Sequence, residues 1–133
     1  MRFVISEDYD DIIVGAGDIV TLKKDKKYKD DITRWLVDTT HRFFVLAGDK
    51  NNVLVLVMTT RTYRYDKEPD KYVKITSGGR DALVEMNTWG VFPRSYVYDV
   101  TETVSDKEYA DVYDKFVENK DTKTDQKLEK FFK

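Results

Sequence analysis

Two apolar runs joined by a polar stretch constrain the fold of this chain more than any other feature. Residues 43–47 (FFVLA) and 53–58 (VLVLVM) are rich in β-branched and aromatic side chains, and residues 48–52 (GDKNN) are turn formers. The pattern predicts an antiparallel hairpin. Because neither run alternates with polar residues, both strands are expected to be buried on both faces, inside a closed small barrel or under a covering helix or partner chain.

Most of the other segments are predicted as strands. Residues 19–22 follow a break at two glycines and are rich in β-branched residues, and several later runs alternate or are apolar. The later predictions are strands at TYRY (62–65), YVKI (72–75) and ALVEM (82–86), a turn at TSGG (76–79), and a turn-rich segment at NTWGVFPR (87–94). Between the first strand and the hairpin, Asp30 or Asp31 caps a predicted short helix carrying Ile32, Trp35 and Leu36.

A late amphipathic helix completes the predicted fold. Ser105 precedes Glu108 by three residues, which is the spacing of a capping box. Apolar side chains then recur at helical spacing, at Tyr109, Val112, Tyr113, Phe116 and Val117. A short terminal helix with Leu128 follows and is expected to dock on another surface. The predicted fold class is mainly β with helices (α+β), a small barrel with the late helix packed on it.

Composition limits the function classes. With 133 residues, 41% hydrophobic, the chain is predicted to form one domain with a core of its own. It has no cysteine, which excludes disulfides, thiolate metal sites and cysteine nucleophiles. No signal peptide or membrane-spanning run is evident, so a cytoplasmic protein without membrane contact is expected.

Charge is unevenly distributed along the chain. The net charge is −2, but residues 19–80 carry 14 basic against 8 acidic side chains, whereas the flanks carry 9 against 17. A basic central face would attract a polyanion. The alternative is that these charges are spread over a solvated surface.

The predicted hairpin places four polar residues at one end. His41 and Arg42 precede the first strand, and Thr59 and Thr60 follow the second, so antiparallel pairing brings them within roughly 5–10 Å. A guanidinium, an imidazole and hydroxyls suit phosphate chemistry, because they stabilise charge, exchange protons and hold the ester. The alternative is that they are ordinary solvated strand ends, with His41 a surface residue.

The order of these elements resembles the MazF/PemK-like toxins. The resemblance rests on four segments: GDIV (17–20), HRFFVL (41–46), VLVLVMTT (53–60) and VTETVSDKEYADVYDKF (100–116). It implies an SH3-like barrel with a C-terminal helix over residues 17–118. Residues 1–16 are then an N-terminal extension and residues 119–133 a polar C-terminal tail.

The resemblance also implies a function. Such toxins are sequence-selective, metal-independent endoribonucleases of toxin-antitoxin systems, which act as homodimers on single-stranded RNA, need no cofactor and are silenced by an antitoxin. The catalytic pair would be Arg42 with Thr59 or Thr60, the 2′-hydroxyl of the RNA would be the nucleophile, and His41 is a further acid-base candidate.

RNA contacts are predicted on basic and aromatic residues. In RTYRY, arginines that hold phosphates alternate with rings on which bases stack. The alternative is an amphipathic strand with its tyrosines packed inward. The predicted RNA-binding residues are Lys23, Lys24, Lys26, Lys27, Arg61, Tyr63, Arg64 and Tyr65.

A second function class remains open. The acidic ends, with ISEDYDD (5–11) or the late helix as a docking surface, fit a non-enzymatic binding or inhibitor protein of a phage or mobile element. Such a protein would use the same barrel to block a partner's nucleic-acid site.

Overall fold

The chain folds mainly into antiparallel β-sheet with a few helices. The computed structural model describes residues 2–7, 10–23 and 41–131. The strands are β1 (Arg2–Glu7), β2 (Asp10–Gly15), β3 (Asp18–Leu22), β4 (Arg42–Gly48), β5 (Asn52–Thr59), β6 (Tyr72–Ser77), β7 (Arg80–Pro93) and β8 (Val97–Thr103). The helices are α1 (Tyr63–Lys67), α2 (Asp106–Asn119) and α3 (Thr122–Leu128), with short 3-10 turns at Pro69–Lys71, Arg94–Tyr96 and Glu129–Phe131.

Two sheets are formed. β1 and β2 make a hairpin, and the other six strands form an open antiparallel sheet in the order β6-β7-β5-β4-β3-β8. The mainly β, α+β class predicted from the sequence is therefore confirmed. None of the helices in the described residues is long and apolar enough to span a membrane.

The central hairpin forms as predicted. β4 and β5 pair antiparallel, with Phe43 opposite Val57 and Phe44 opposite Leu56. In the connecting loop, Oδ1 of Asp49 accepts hydrogen bonds from the N–H groups of Asn51 and Asn52, both at 2.8 Å. This Asx-type turn explains why the polar stretch reverses the chain.

Both faces of this hairpin are buried, as its continuous apolarity predicted. Phe43 and Val55 lie in one cluster with Val97 of β8, whereas Phe44 and its neighbours lie in a second cluster on the opposite face. The second cluster includes Val112 of α2. Each such side chain contributes about 1.5–3 kcal/mol through burial.

The late helix begins at the predicted capping box. The N–H of Glu108 donates to Oγ of Ser105 at 3.2 Å, and the Ser105 hydroxyl donates to the Glu108 carboxylate at 3.3 Å. Val112 and Phe116 are buried against the sheet. The predicted terminal helix is α3, but it does not dock on something else as expected, because its Leu128 is buried in the same cluster of the chain's own core.

Two local predictions were wrong. The run TYRY is not a strand but lies in α1, where Arg64 N–H donates to Arg61 O and Tyr65 N–H to Thr62 O, both at 3.1 Å. The alternation covers only four residues, and these turn bonds coil the backbone after β5. The segment 87–93 is not a turn but the second half of β7, because it pairs with β5.

The predicted helix with Ile32, Trp35 and Leu36 lies outside the described residues. The predicted strand at 19–22 is confirmed as β3, and TSGG forms the turn between β6 and β7.

Candidate functional site

Arg42 is the first residue of β4, and its guanidinium contacts two other strands. Its Nη1 donates a hydrogen bond to Oγ of Ser77, the last residue of β6, at 2.7 Å. The same atom lies 3.7 Å from Oε1 of Glu102 in β8. Because side chains alternate along a strand, Arg42 leaves β4 on the face of Phe44, toward these residues.

Glu102 completes this cluster. Its carboxylate accepts hydrogen bonds from the hydroxyl of Ser77 and, at 3.0 Å, from the N–H of Gly78. We call Arg42, Ser77, Gly78 and Glu102 the Arg42 corner. The side chains of Arg42 and Glu102 are 33% and 30% exposed, so solvent and solutes reach these two charged groups, whereas Ser77 is buried.

A glycine turn shapes one side of the Arg42 corner. Gly78 and Gly79, the two residues between β6 and β7, have φ values of +61° and +77°. A Cβ atom at Gly78 would lie 3.4 Å from Nη1 of Arg42, whereas one at Gly79 would meet nothing within 4 Å. Glycine at position 78 thus provides both the left-handed backbone and room beside the guanidinium.

The predicted threonines lie at the same sheet end but are not bonded to Arg42. By the β4–β5 register, the end of β5 lies next to the start of β4. Alternation puts Thr59 on the face of Val57, opposite to the face of Arg42, and its Oγ1 accepts a hydrogen bond from Arg61 N–H at 3.2 Å. Thr60 is exposed.

His41 is half-buried beside Phe43. The two rings meet edge to face, with centroids 5.1 Å apart. Since Phe43 belongs to the cluster on the other face from Phe44, the imidazole leaves the strand away from the Arg42 corner.

The predicted RNA-binding residues divide into two groups. Lys24, Lys26 and Lys27 lie outside the described residues, and Lys23 is exposed after β3. In and beside α1, Arg61 is exposed and Tyr63 is 57% exposed.

The other two members, Arg64 and Tyr65, are half-buried. A hydrogen bond with Tyr63 raises the pKa of Arg64, and Nζ of Lys74 lies 4.6 Å from the ring centroid of Tyr65. Arg64 is therefore hydrogen-bonded to the side chain of Tyr63, and a lysine lies over the ring of Tyr65.

A second polar cluster lies at the start of β3. The side chain of Asp18 is fully buried, where Oδ2 accepts from Gly15 N–H at 2.8 Å and Oδ1 accepts from the Thr103 hydroxyl at 2.6 Å. We call Gly15, Asp18 and Thr103 the Asp18 corner. It shows what Asp18 in the GDIV segment does, namely to fasten β8 to the turn before β3.

Sequence reasoning missed Ser77, Gly78 and Glu102. Ser77 and Gly78 lie in the predicted TSGG turn, and Glu102 lies in a segment used only for the resemblance. The serine before two glycines was a local signal for a turn with hydrogen-bond donors. No spacing in the sequence links that turn to positions 42 and 102.

Among the side chains that the structure describes, no group of three or more His, Asp or Glu residues is arranged to hold a metal ion. No protein-family model matches the chain, and a search of curated proteins finds no match.

Proposed function

We propose that the protein is a sequence-selective, metal-independent endoribonuclease toxin of a toxin-antitoxin system that cleaves single-stranded RNA. One observation carries this proposal. At the Arg42 corner, a guanidinium, a hydroxyl and a carboxylate from three different strands are in contact; the guanidinium and the carboxylate are about one-third exposed, whereas Ser77 is buried. This set can bind a phosphodiester and move a proton without a metal ion.

The chemistry divides among the three groups. Arg42 stabilises the charge that develops on the non-bridging oxygens, and the Ser77 hydroxyl orients the phosphate. Glu102 accepts the proton of the 2′-hydroxyl, whose oxygen attacks the adjacent phosphorus. The bond from phosphorus to the 5′-oxygen breaks, that oxygen takes a proton from water, and the hydroxide so formed takes the proton from Glu102. The products are a 2′,3′-cyclic phosphate and a 5′-hydroxyl.

At the level of the fold, the proposal includes an SH3-like barrel. What supports it is the contact between the two edges of the open sheet, because Ser77 and Gly78 at the end of β6 both hydrogen-bond Glu102 of edge strand β8. The proposal further includes a cytoplasmic homodimer and an antitoxin that covers the Arg42 corner, and Arg61, Tyr63, Arg64 and Tyr65 as RNA contacts.

A cleavage assay tests the function. Purified protein is incubated with a long single-stranded RNA in EDTA, and the fragments are analysed for cyclic phosphate ends. Arg42→Ala should lower the rate about 100-fold or more, as the loss of a donor to a charged transition state does. Lys127→Ala removes an exposed cation from α3 and is the control. Equal rates for Arg42→Ala and wild type would reject the site.

The same assay decides which hydroxyl takes part. Thr59→Ala and Thr60→Ala test the predicted threonines, and Ser77→Ala tests the hydroxyl that contacts Arg42. We expect Ser77→Ala to have the larger effect, because Thr59 lies on the other face of β5. A larger loss of cleavage rate in Thr59→Ala than in Ser77→Ala would assign the catalytic role to the threonines instead.

A non-enzymatic binding protein is the second candidate. One observation favours it, since Glu102 lies close enough to the Arg42 guanidinium to neutralise it within the protein itself. Such a protein would leave RNA intact and form a stable complex with a partner. Neutralising Glu7, Asp8, Asp10 and Asp11 in the acidic start should then abolish the complex.

A further inference from the structure

The carboxylate of Glu102 is held in the Arg42 corner by groups of the kind that bind a free anion. The Gly78 N–H donates to one of its oxygens at 3.0 Å, and the Ser77 hydroxyl donates to the other. The guanidinium of Arg42 lies 3.7 Å from the second oxygen and gives the corner its positive charge. Two hydrogen-bond donors and a nearby guanidinium therefore converge on one carboxylate.

These donors are of the kind that proteins use for phosphate. A backbone N–H in a turn with left-handed residues, a serine hydroxyl and an arginine are the recurring parts of phosphate sites. The turn supplies its N–H in a fixed position because Gly78 and Gly79 both have positive φ values. A guanidinium also has five N–H donors in one plane, so Arg42 can serve Ser77 and an anion together.

We propose that Arg42, Ser77 and the N–H of Gly78 form a phosphate site that Glu102 occupies in this structure, and that a phosphate group of bound RNA displaces this carboxylate. The assignment of this phosphate to RNA rests on the proposed function. Glu102 thus has two positions, one as the internal occupant of the site and one beside it, where it receives the proton of the 2′-hydroxyl.

An internal occupant lowers the apparent affinity for an external ligand. If the site is open for a fraction of the time, the apparent dissociation constant is the intrinsic one divided by that fraction. Removing the carboxylate should therefore tighten the binding of phosphate, whereas removing a distant carboxylate should not. The same change should slow the chemical step, because the proton acceptor is lost.

The test uses inorganic phosphate and the full chain. Wild type, Glu102→Ala and Glu102→Gln are titrated at constant ionic strength, and the amide signal of Gly78 is followed by NMR. We expect both variants to bind phosphate about tenfold more tightly than wild type, which corresponds to a site open roughly a tenth of the time. Adding Ser77→Ala to Glu102→Gln should weaken phosphate binding again by about tenfold.

Asp99→Asn is the matched control. Asp99 is exposed on the same strand, and its change removes the same charge without touching Gly78. We expect its phosphate affinity to stay within about threefold of wild type, because exposed charges are screened by solvent and salt. Thermal unfolding of each variant shows that it is folded before it is titrated.

The outcomes separate this inference from the proposed function. If Glu102→Ala and Glu102→Gln bind phosphate no more tightly than Asp99→Asn, Glu102 does not occupy a phosphate site, even if the wild type cleaves RNA. If they bind it tightly but the wild type leaves RNA intact, the phosphate site stands and the ribonuclease is rejected. With RNA, Glu102→Gln should lower both KM and kcat. If Glu102 had only a structural role, its replacement would not tighten binding while slowing the chemical step.

Discussion

Glu102 and Thr103 are neighbours in β8, yet they belong to two clusters whose carboxylates differ in burial. Thr103 donates to Asp18, whose side chain is completely buried. Glu102 accepts from Ser77 and Gly78 in a corner where its side chain is 30% exposed. Both clusters fasten β8 to another part of the sheet, and they differ in their carboxylates, because Asp18 is buried whereas Glu102 is partly exposed.

Access to water decides what each cluster can do. When a partner is removed from a buried cluster, the remaining polar groups lose their hydrogen bonds and stability falls. At an exposed cluster, water replaces the lost partner, so the fold depends on it less. The buried Asp18 carboxylate therefore stabilises the fold, whereas the partly exposed Glu102 carboxylate can leave its partners for water and be replaced by a ligand.

The largest effect on stability is expected at the Asp18 corner. Asp18→Ala leaves the buried Gly15 N–H without its acceptor, whereas the hydroxyl of the exposed Thr103 can bond water, so the free energy of unfolding should fall by about 2 kcal/mol. Urea unfolding measures this change. Asp99→Ala removes an exposed carboxylate and should change the free energy by less than about 0.5 kcal/mol. Equal losses for the two variants would show that the buried Asp18 carboxylate has no special role in stability.

The two turn glycines give a matched pair at the Arg42 corner. Gly78→Ala and Gly79→Ala both place a side chain at positive φ, so each should lower the free energy of unfolding by about 1–2 kcal/mol. Only the Cβ at position 78 would contact Arg42. We expect RNA cleavage to fall in Gly78→Ala but not in Gly79→Ala, and the reverse order would contradict the placement of the site.

Tyr109, which lies near the Asp18 corner, should make the stability of the fold depend on pH. Its ring lies against Gly17, next to Asp18, its hydroxyl donates to Leu46 O at 2.8 Å, and burial raises its pKa from 10 to about 12. The folded state thus holds the proton more tightly than the unfolded state. Stability from this group is complete below pH 10 and is lost as pH rises toward 12.

The phenol is only half-buried, so solvent screening limits the loss to on the order of 1 kcal/mol. Tyr109→Phe removes both the hydrogen bond and the titration. It should be about 1 kcal/mol less stable than wild type at neutral pH, and this difference should shrink between pH 10 and 12. Denaturant midpoints at several pH values measure it, and a difference that grows with pH would contradict the assignment.

The smallest effect on stability is expected for Arg42→Ala. Its guanidinium is one-third exposed, so water can replace its contact to Glu102, and the buried Ser77 hydroxyl keeps its hydrogen bond to Glu102. The free energy of unfolding should fall by about 1 kcal/mol or less. Calorimetry of the variant checks this value. A loss as large as that of Asp18→Ala would make Arg42 a structural residue.

What could be predicted from the sequence depended on how local the signal was. The hairpin and the start of α2 were predictable because the GDKNN turn and the capping box each lie within a few residues. The four residues of TYRY were too few to separate a strand from α1. The glycine and proline in residues 87–93 favoured a turn, whereas pairing with β5 keeps this segment in β7.

The candidate site depends on contacts between distant positions. Arg42 and Ser77 are 35 residues apart, and Ser77 and Glu102 are 25 apart. They meet because the end of β6 and edge strand β8 both approach the start of β4. No motif carries this information, so the arginine was predictable as a candidate and its partners were not.

The two hydroxyls that contact carboxylates give the most direct test of the account. Ser77 bonds Glu102, and Thr103 bonds the buried Asp18. Single-turnover RNA cleavage is measured for Ser77→Ala and Thr103→Ala, with each rate corrected for the fraction of folded protein. The account predicts that Ser77→Ala cleaves at least about tenfold more slowly than wild type and that Thr103→Ala cleaves at the wild-type rate. Wild-type cleavage by Ser77→Ala would contradict it.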